Sequence, residues 1–168
     1  MTKTLIILAT LFIAFNGLAQ ETETSEADKK KMDMTRMIAL MGQKIEMNVD
    51  LSLFKEVSTN SYVSDSPKAV IMAMMIPDSY ESSKEKMDND AGDKFKVTDK
   101  GEKEINGITV LYMEGVSETD GITLNNEIYC MAIDDETCLM FVGMFDKDAS
   151  ANYSAAITEA RNSVIKKK

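Results

Sequence analysis

In three stretches of the sequence, odd-numbered and even-numbered positions are both apolar over the length of a strand. These stretches constrain the fold more than any other feature. They are residues 69–76, 108–116 and 138–145. A strand with one face in water alternates apolar and polar residues, so strands of this kind are covered on both faces. The pattern therefore predicts an α+β fold: a three-layer α/β/α sandwich with a central, largely antiparallel sheet.

Helices that could cover such a sheet are predicted at three places. The first spans residues 32–43, where apolar residues recur at helical spacing. The second begins at Asp78 as its cap, with Glu81 completing a capping box, and reaches about Asn89. The third follows a cap at Asp148 and carries an apolar stripe at i, i+3, i+4, i+7 and i+11: Tyr153, Ala156, Ile157, Ala160 and Val164.

Shorter patterns predict the remaining strands and turns. Alternation over residues 45–51 indicates a strand, and a short strand is expected near residues 61–63 in an otherwise irregular stretch. Asn106-Gly107 is the preferred pair for a two-residue type I′ turn, which predicts a hairpin with a polar edge strand over residues 95–105. Further turns at residues 118–121 and 134–136 complete a four-stranded meander.

The N-terminus has the order of features found in secretory signal peptides. Lys3 precedes an apolar run over residues 5–15, and small residues follow at Gly17 and Ala19. We expect cleavage between Ala19 and Gln20, a polar disordered leader over residues 20–31, and a single domain over residues 32–168. The mature protein is expected in the periplasm or outside the cell, without stable membrane insertion.

Composition narrows the chemistry that the chain can perform. There is no histidine, which removes Ser-His and Cys-His nucleophilic pairs and all histidine-based zinc or copper sites. The net charge of −9 opposes binding to nucleic acid. We therefore expect a protein without enzymatic activity and without a cofactor.

Two groups of sulfur-containing residues are candidate sites. Cys130 and Cys138 are expected on the two arms of a hairpin, where hairpin register decides between a disulfide and two buried free thiols. A run of methionines could bind Cu(I) through soft thioethers, but its helical spacing favours a buried helix face and predicts no tight Cu(I) site. This run is Met32, Met34, Met37 and Met41.

Two groups of acidic residues have simpler explanations. Asp88, Asp90 and Asp93 resemble a calcium loop, but the glycine is displaced by one position and the final glutamate is missing. Paired carboxylates can act as general acid and base, yet surface strands often carry glutamate, and catalysis is not expected here. The carboxylates in question are Glu102, Glu104, Glu114 and Glu118.

The stretch from residue 66 to residue 165 resembles the PsbP-like fold family. The matching features are the strand after Ser66-Pro67, the helix at Asp78, the hairpin at Ile105-Asn106-Gly107, the two long strands that follow, and a final helix ending in Asn162-Ser163-Val164-Ile165. The family includes extrinsic proteins of photosystem II, a Ran-binding nuclear import factor and bacterial envelope domains of unassigned function. Known members mostly bind other proteins.

The resemblance and the composition together give two hypotheses. The first is an exported, non-enzymatic binding or accessory protein of the bacterial cell envelope, which contacts another envelope protein. Neither the photosystem nor the Ran function is expected, because no residue pattern of either is present. The alternative is a small-ligand or copper carrier that uses the Met-rich N-terminal helix.

Overall fold

In the computed structural model, which describes residues 34–89 and 95–166, the chain has an α+β fold built on a seven-stranded antiparallel sheet. The strands lie in the order β1-β2-β3-β7-β6-β5-β4. In chain order the elements are α1 (residues 34–41), β1 (Lys55–Ser58), β2 (Ser61–Asp65), β3 (Lys68–Ile76), α2 (Tyr80–Asn89), β4 (Phe95–Ile105), β5 (Ile108–Thr119), β6 (Ile122–Asp134), β7 (Thr137–Asp146) and α3 (Ala151–Val164).

The two central strands, β3 and β7, are the most apolar of the sheet and pair with each other. Alternate residues of each strand point to opposite faces. On one side Ile71 and Phe141 pack in a cluster with Ile157 of α3. On the other side Cys138 packs with Met87 of α2. We refer to these sides as the α3 face and the α2 face.

The final helix confirms its prediction closely. All five residues of the predicted apolar stripe, from Tyr153 to Val164, are buried. The cap lies two residues later than predicted, however, since Ser150 and not Asp148 precedes the helix. The cap of α2 is likewise Ser79, whose hydroxyl accepts the N–H of Ser82. Asp78 instead accepts hydrogen bonds from the side chains of Ser83 and Lys86, so an aspartate one or two residues before a serine predicts the helix start only to within two residues.

The hairpin at Asn106-Gly107 is confirmed as a two-residue turn. Ile105 and Ile108 are paired across it, and Asn106 and Gly107 have φ values of 53° and 75°, the signs that a type I′ turn requires. The side chain of Asn106 has a second role. Its Nδ2 donates to the carbonyl oxygens of Asn162 at 2.9 Å and Ile165 at 2.7 Å, which ties the turn to the end of α3.

Gly107→Val should destabilise the protein by roughly 1–3 kcal/mol, because a β-branched side chain is a poor fit at positive φ. The urea midpoint should fall accordingly. Gly42→Val is the control, since a Cβ there makes only ordinary contacts, the nearest at 3.5 Å. Gly101 is unsuitable despite its place on the edge strand, because its φ is +154°. Equal midpoints for Gly107→Val and the wild type would refute the strain argument.

The segment before β1 differs from its prediction. Residues 45–51 alternate in burial over Ile45–Val49 but form no strand, and Leu51 is 70 % exposed. Side chains hold this segment in place of a strand ladder. The N–H of Ile45 donates to Asn60 Oδ1 at 2.8 Å, and the N–H of Asn48 donates to Ser163 Oγ at 2.8 Å. The irregular stretch that follows contains two strands, β1 and β2, where one was predicted.

Within the described ranges, no helix is both long and apolar enough to cross a membrane. The predicted signal peptide and the polar leader lie outside those ranges, as does Met32.

Candidate functional site

Two carboxylates face each other across the β5–β6 hairpin. Glu114 of β5 is paired with Glu127 of β6, so their side chains emerge side by side on the α3 face of the sheet. Like charges placed directly opposite on adjacent strands destabilise a sheet unless cations compensate them. The surroundings of this pair supply two cations, one from α3 and one from the edge strand β4.

Arg161 of α3 compensates the more deeply buried carboxylate. Its Nη1 lies 3.3 Å from Glu127 Oε2, and the two side chains are only 13 % and 15 % exposed. Burial raises the pKa of Glu127, and Arg161 opposes that rise. Among the described residues, Oε1 of Glu127 has no hydrogen-bond partner. It lies over Gly143 of β7, where an added Cβ would come within 2.9 Å of it.

Lys103 of β4 compensates the more exposed carboxylate. Its Nζ lies 2.8 Å from Glu114 Oε1, and the Tyr129 hydroxyl donates to the same oxygen at 2.8 Å. Partial burial acts to raise the pKa of Glu114, but these two hydrogen bonds outweigh it, so that its pKa lies below the usual value. Glu114 and Glu127 therefore have pKa values that the surroundings move in opposite directions.

Two tyrosines connect the charged groups. Tyr112 and Tyr129 stack with ring centroids 6.4 Å apart, and Lys103 Nζ lies 4.1 Å and 4.6 Å from the two centroids. The Tyr129 hydroxyl accepts from Arg161 Nη1 at 2.8 Å while it donates to Glu114. Burial raises the pKa of Tyr129, so this hydroxyl keeps its proton. We call the six side chains the Glu114–Glu127 cluster: Lys103, Tyr112, Glu114, Glu127, Tyr129 and Arg161.

The Glu114–Glu127 cluster has a buried part and a more exposed part, which we call its rim. Lys103 and Glu114 are 35 % and 38 % exposed, whereas Arg161 and Glu127 are mostly covered. Carboxylates with diverging pKa values often serve as an acid and a base in enzymes. Here the unpaired oxygen of Glu127 is buried against Gly143 of β7. The more exposed part of the cluster presents a cation, a carboxylate and an aromatic ring held by one another.

The two cysteines lie on the α2 face and are free and buried. The interaction between the two thiols and burial both raise the pKa of Cys130, while the same interaction lowers the pKa of Cys138. Ser83 of α2 contacts both thiols. Its hydroxyl in turn donates to Asp78 Oδ2 at 2.9 Å. The two thiols, Ser83 and Asp78 thus form a small polar group beneath α2.

The methionine stripe of α1 does not lie where the helical spacing predicted. Met34 is 54 % exposed and Ile38 is 65 % exposed, while Met37 and Met41 are half-buried. The prediction of a fully buried stripe is therefore wrong. α1 contacts the β6–β7 turn instead, through Arg36 and Glu136 at 3.1 Å. Spacing shows that residues share a helix face but not what that face contacts.

The other acidic candidates are dispersed. Asp88 lies 3.5 Å from Lys100 Nζ, and Asp90 and Asp93 lie outside the described residues. Glu102 accepts hydrogen bonds from Tyr80 and Lys84 of α2. Glu104 and Glu118 are exposed. No group of three or more Cys, Asp and Glu side chains suited to a metal was found over residues 34–89 and 95–166.

Of the four glutamates singled out in the sequence, only Glu114 belongs to the cluster. A signal for Glu127 was nevertheless present. Glu114 and Glu127 are equally distant from the turn at Asp120-Gly121, so a two-residue hairpin places them opposite each other. Arg161 carries no comparable signal, because its approach depends on how α3 lies across the sheet.

Comparison with known proteins gives distant structural similarities. No protein-family model matches the chain, and no curated protein matches its sequence. Among solved structures, the chain is similar to LpqN, involved in cell envelope biogenesis of Mycobacterium tuberculosis, with 13 % identity and a TM-score of 0.46 over 69 % of this chain and 79 % of that one. It is also similar to PA94, a protein of unknown function from Pseudomonas aeruginosa, with 11 % identity and a TM-score of 0.49 over 75 % and 86 % of the two chains.

Proposed function

We propose that this protein is an exported, non-enzymatic binding or accessory protein of the bacterial cell envelope, and that it contacts another protein through the rim of the Glu114–Glu127 cluster. The rim presents the cation of Lys103, the carboxylate of Glu114 and the ring of Tyr112 in fixed positions. Tyrosine is enriched at the energetic centres of protein interfaces. Export is supported by the signal-peptide pattern at the N-terminus.

The observation that carries this proposal is how firmly the rim is held. Lys103 is positioned by Glu114 and by two tyrosine rings, and Tyr129 is fixed in turn by Arg161. Side chains that are already ordered lose little conformational freedom on binding. An ordinary exposed ion pair, such as that of Lys55 with Asp65, has no comparable support.

Lys103→Glu should abolish the contact, because it places a second carboxylate beside Glu114 and removes the cation above the tyrosines. We expect a protein from the envelope extract of the producing organism to co-purify with the tagged wild type. Its recovery with Lys103→Glu should fall at least about tenfold, equivalent to about 1.4 kcal/mol. Quantitative mass spectrometry of the eluates measures the difference.

Lys55→Glu is the matched control, since it makes the same charge change in an exposed ion pair, where Lys55 Nζ lies 2.6 Å from Asp65 Oδ2. It should retain the partner. Circular dichroism must show that both variants are folded. Equal recovery with both variants, or no protein retained by the wild type, would exclude this surface as the binding site.

Assignment to the three-layer sandwich class and to the PsbP-like family is part of the same proposal. It is supported by the placement of α2 and α3 on opposite faces of the antiparallel sheet. The second candidate function is a small-ligand or copper carrier using the Met-rich helix. The exposure of Met34 favours it, because a thioether at the surface is accessible to a soft metal ion.

A further inference from the structure

Cys130 and Cys138 occupy diagonal positions on neighbouring strands. Cys130 of β6 is paired with Met140 of β7, and Cys138 is paired with Ala132, so each cysteine is two residues away from the other's partner. Both side chains point to the α2 face and belong to one buried cluster. The two thiols are therefore neighbours within that cluster.

The diagonal arrangement favours two thiols over a disulfide. Diagonal neighbours in an antiparallel pair are roughly 7–8 Å apart, directly opposite residues are closer, and a disulfide needs Cα atoms within about 6.8 Å. The strands would have to shift to close the bond. The Cβ atoms of such diagonal neighbours lie closer together than their Cα atoms, so the two sulfur atoms can converge on an atom placed between them.

The surroundings of the two thiols add a third sulfur atom. Met87 of α2 is buried in the same cluster as the two cysteines. Ser83, one helical turn earlier, contacts both thiols and is only 4 % exposed. Asp78 accepts the hydrogen bond of Ser83 and fixes its orientation. Such outer contacts are typical of sites that hold a metal ligand in place.

A cleft beside α2 borders this group. It has a volume of about 70 Å³ and lies between α2 and the β4–β5 edge. Met87 and Leu111 line it and also belong to the buried cluster of the two cysteines. Leu111 is paired directly with Cys130. The cleft therefore shares two of its lining side chains with the buried cluster of the two cysteines.

We propose that Cys130 and Cys138 bind one Cu(I) ion as a pair of thiolates, with Met87 as a thioether ligand. Thiolate and thioether ligands select Cu(I), which accepts two or three sulfur ligands. Zinc prefers four ligands in a tetrahedral arrangement, and this group does not supply them. Binding releases the two thiol protons to solvent. This site is distinct from the Met-rich helix and from the surface proposed to contact a protein.

The test is a titration of the purified protein with Cu(I) under anaerobic, reducing conditions in competition with a chromogenic Cu(I) chelator. We expect the wild type to take one Cu(I) per chain and to develop thiolate-to-copper absorption in the ultraviolet. Cys130→Ala and Cys138→Ala should each lower the affinity at least about a hundredfold. Met34→Leu with Met37→Leu is the control for the N-terminal helix and should bind as the wild type does.

A second measurement needs no variant. Cu(I) should protect both cysteines of the wild type from alkylation in partly denaturing urea, as read by mass spectrometry, whereas Zn(II) at the same concentration should not. Failure of the wild type to compete for Cu(I) would overturn the proposal. It would also be overturned if both cysteine variants still bound Cu(I). Loss of that binding in the Met34→Leu, Met37→Leu variant would then assign the copper to α1.

Discussion

Gly143→Ala is expected to destabilise the protein by roughly 3 kcal/mol, the upper part of the usual range for overpacking a core. A Cβ at Gly143 would lie 2.5 Å from Ile157 Cγ2 and 2.9 Å from Glu127 Cγ. Ile157 is fully buried and belongs to α3, so relieving the overlap requires the helix to rise from the sheet. Out of the 5–15 kcal/mol typical of a domain, this is a large fraction.

Urea denaturation of a double-mutant cycle isolates this effect. Ile157→Ala alone should cost about 2–5 kcal/mol, but the double variant should be less destabilised than the two single losses together, because the clashing methyl is gone. Gly42→Ala is the control for adding a Cβ without overlap, since the nearest atom to that Cβ is the carbonyl oxygen of Ile38 at 3.5 Å. Additive losses in the cycle would show that α3 does not lie against Gly143.

Arg161→Leu should be the most damaging substitution in the Glu114–Glu127 cluster, costing about 3–5 kcal/mol. It leaves the carboxylate of Glu127 buried without its cation, and removing one partner of a buried ion pair usually has this cost. Arg161→Leu combined with Glu127→Gln should recover a large part of the loss, because the uncompensated charge is removed. Lys55→Leu, in an exposed ion pair, should cost less than about 1 kcal/mol.

The effect of Arg161→Leu should depend on pH with a defined sign. Burial raises the pKa of Glu127 above its usual 4.5, and removal of Arg161 raises it further. The folded state then binds a proton more tightly than the unfolded chain, so the free energy of unfolding falls as pH rises above about 4.5. Urea midpoints should fall more steeply for Arg161→Leu than for the wild type. A loss that is the same at every pH would assign Arg161 a packing role only.

The elements that were predicted correctly from the sequence are those whose apolar residues recur with the spacing of a strand or helix and are buried in the structure. β3, β7 and α3 are apolar where the sheet and helix require it, and the turn at Asn106-Gly107 follows from backbone conformation alone. The strand predicted near Ile45 failed for a specific reason. The side chain of Asn60 accepts its first N–H, so the segment satisfies its backbone without a neighbouring strand.

The candidate site was predicted only in part, because it depends on contacts between distant elements. Glu114 was singled out as one carboxylate among four, but Lys103 reaches it from β4 and Arg161 reaches its neighbour Glu127 from α3. No local pattern encodes the distance between α3 and β6. The exposure of Met34 has the same origin, since a helical stripe has to find a partner surface before it is buried.

The order of strands gives the chain a natural point of division. β1 to β3 lie on one side of the β3–β7 ladder and β4 to β7 on the other. Within each of these two sets of described strands, every pairing joins strands that are consecutive in the sequence. A polypeptide cut after Asn89 would give two fragments whose complementary edges are its two most apolar strands. Until β7 has been synthesised, β3 exposes such an edge to other chains. The protein is therefore suited to fragment complementation, and a truncation before β7 should aggregate.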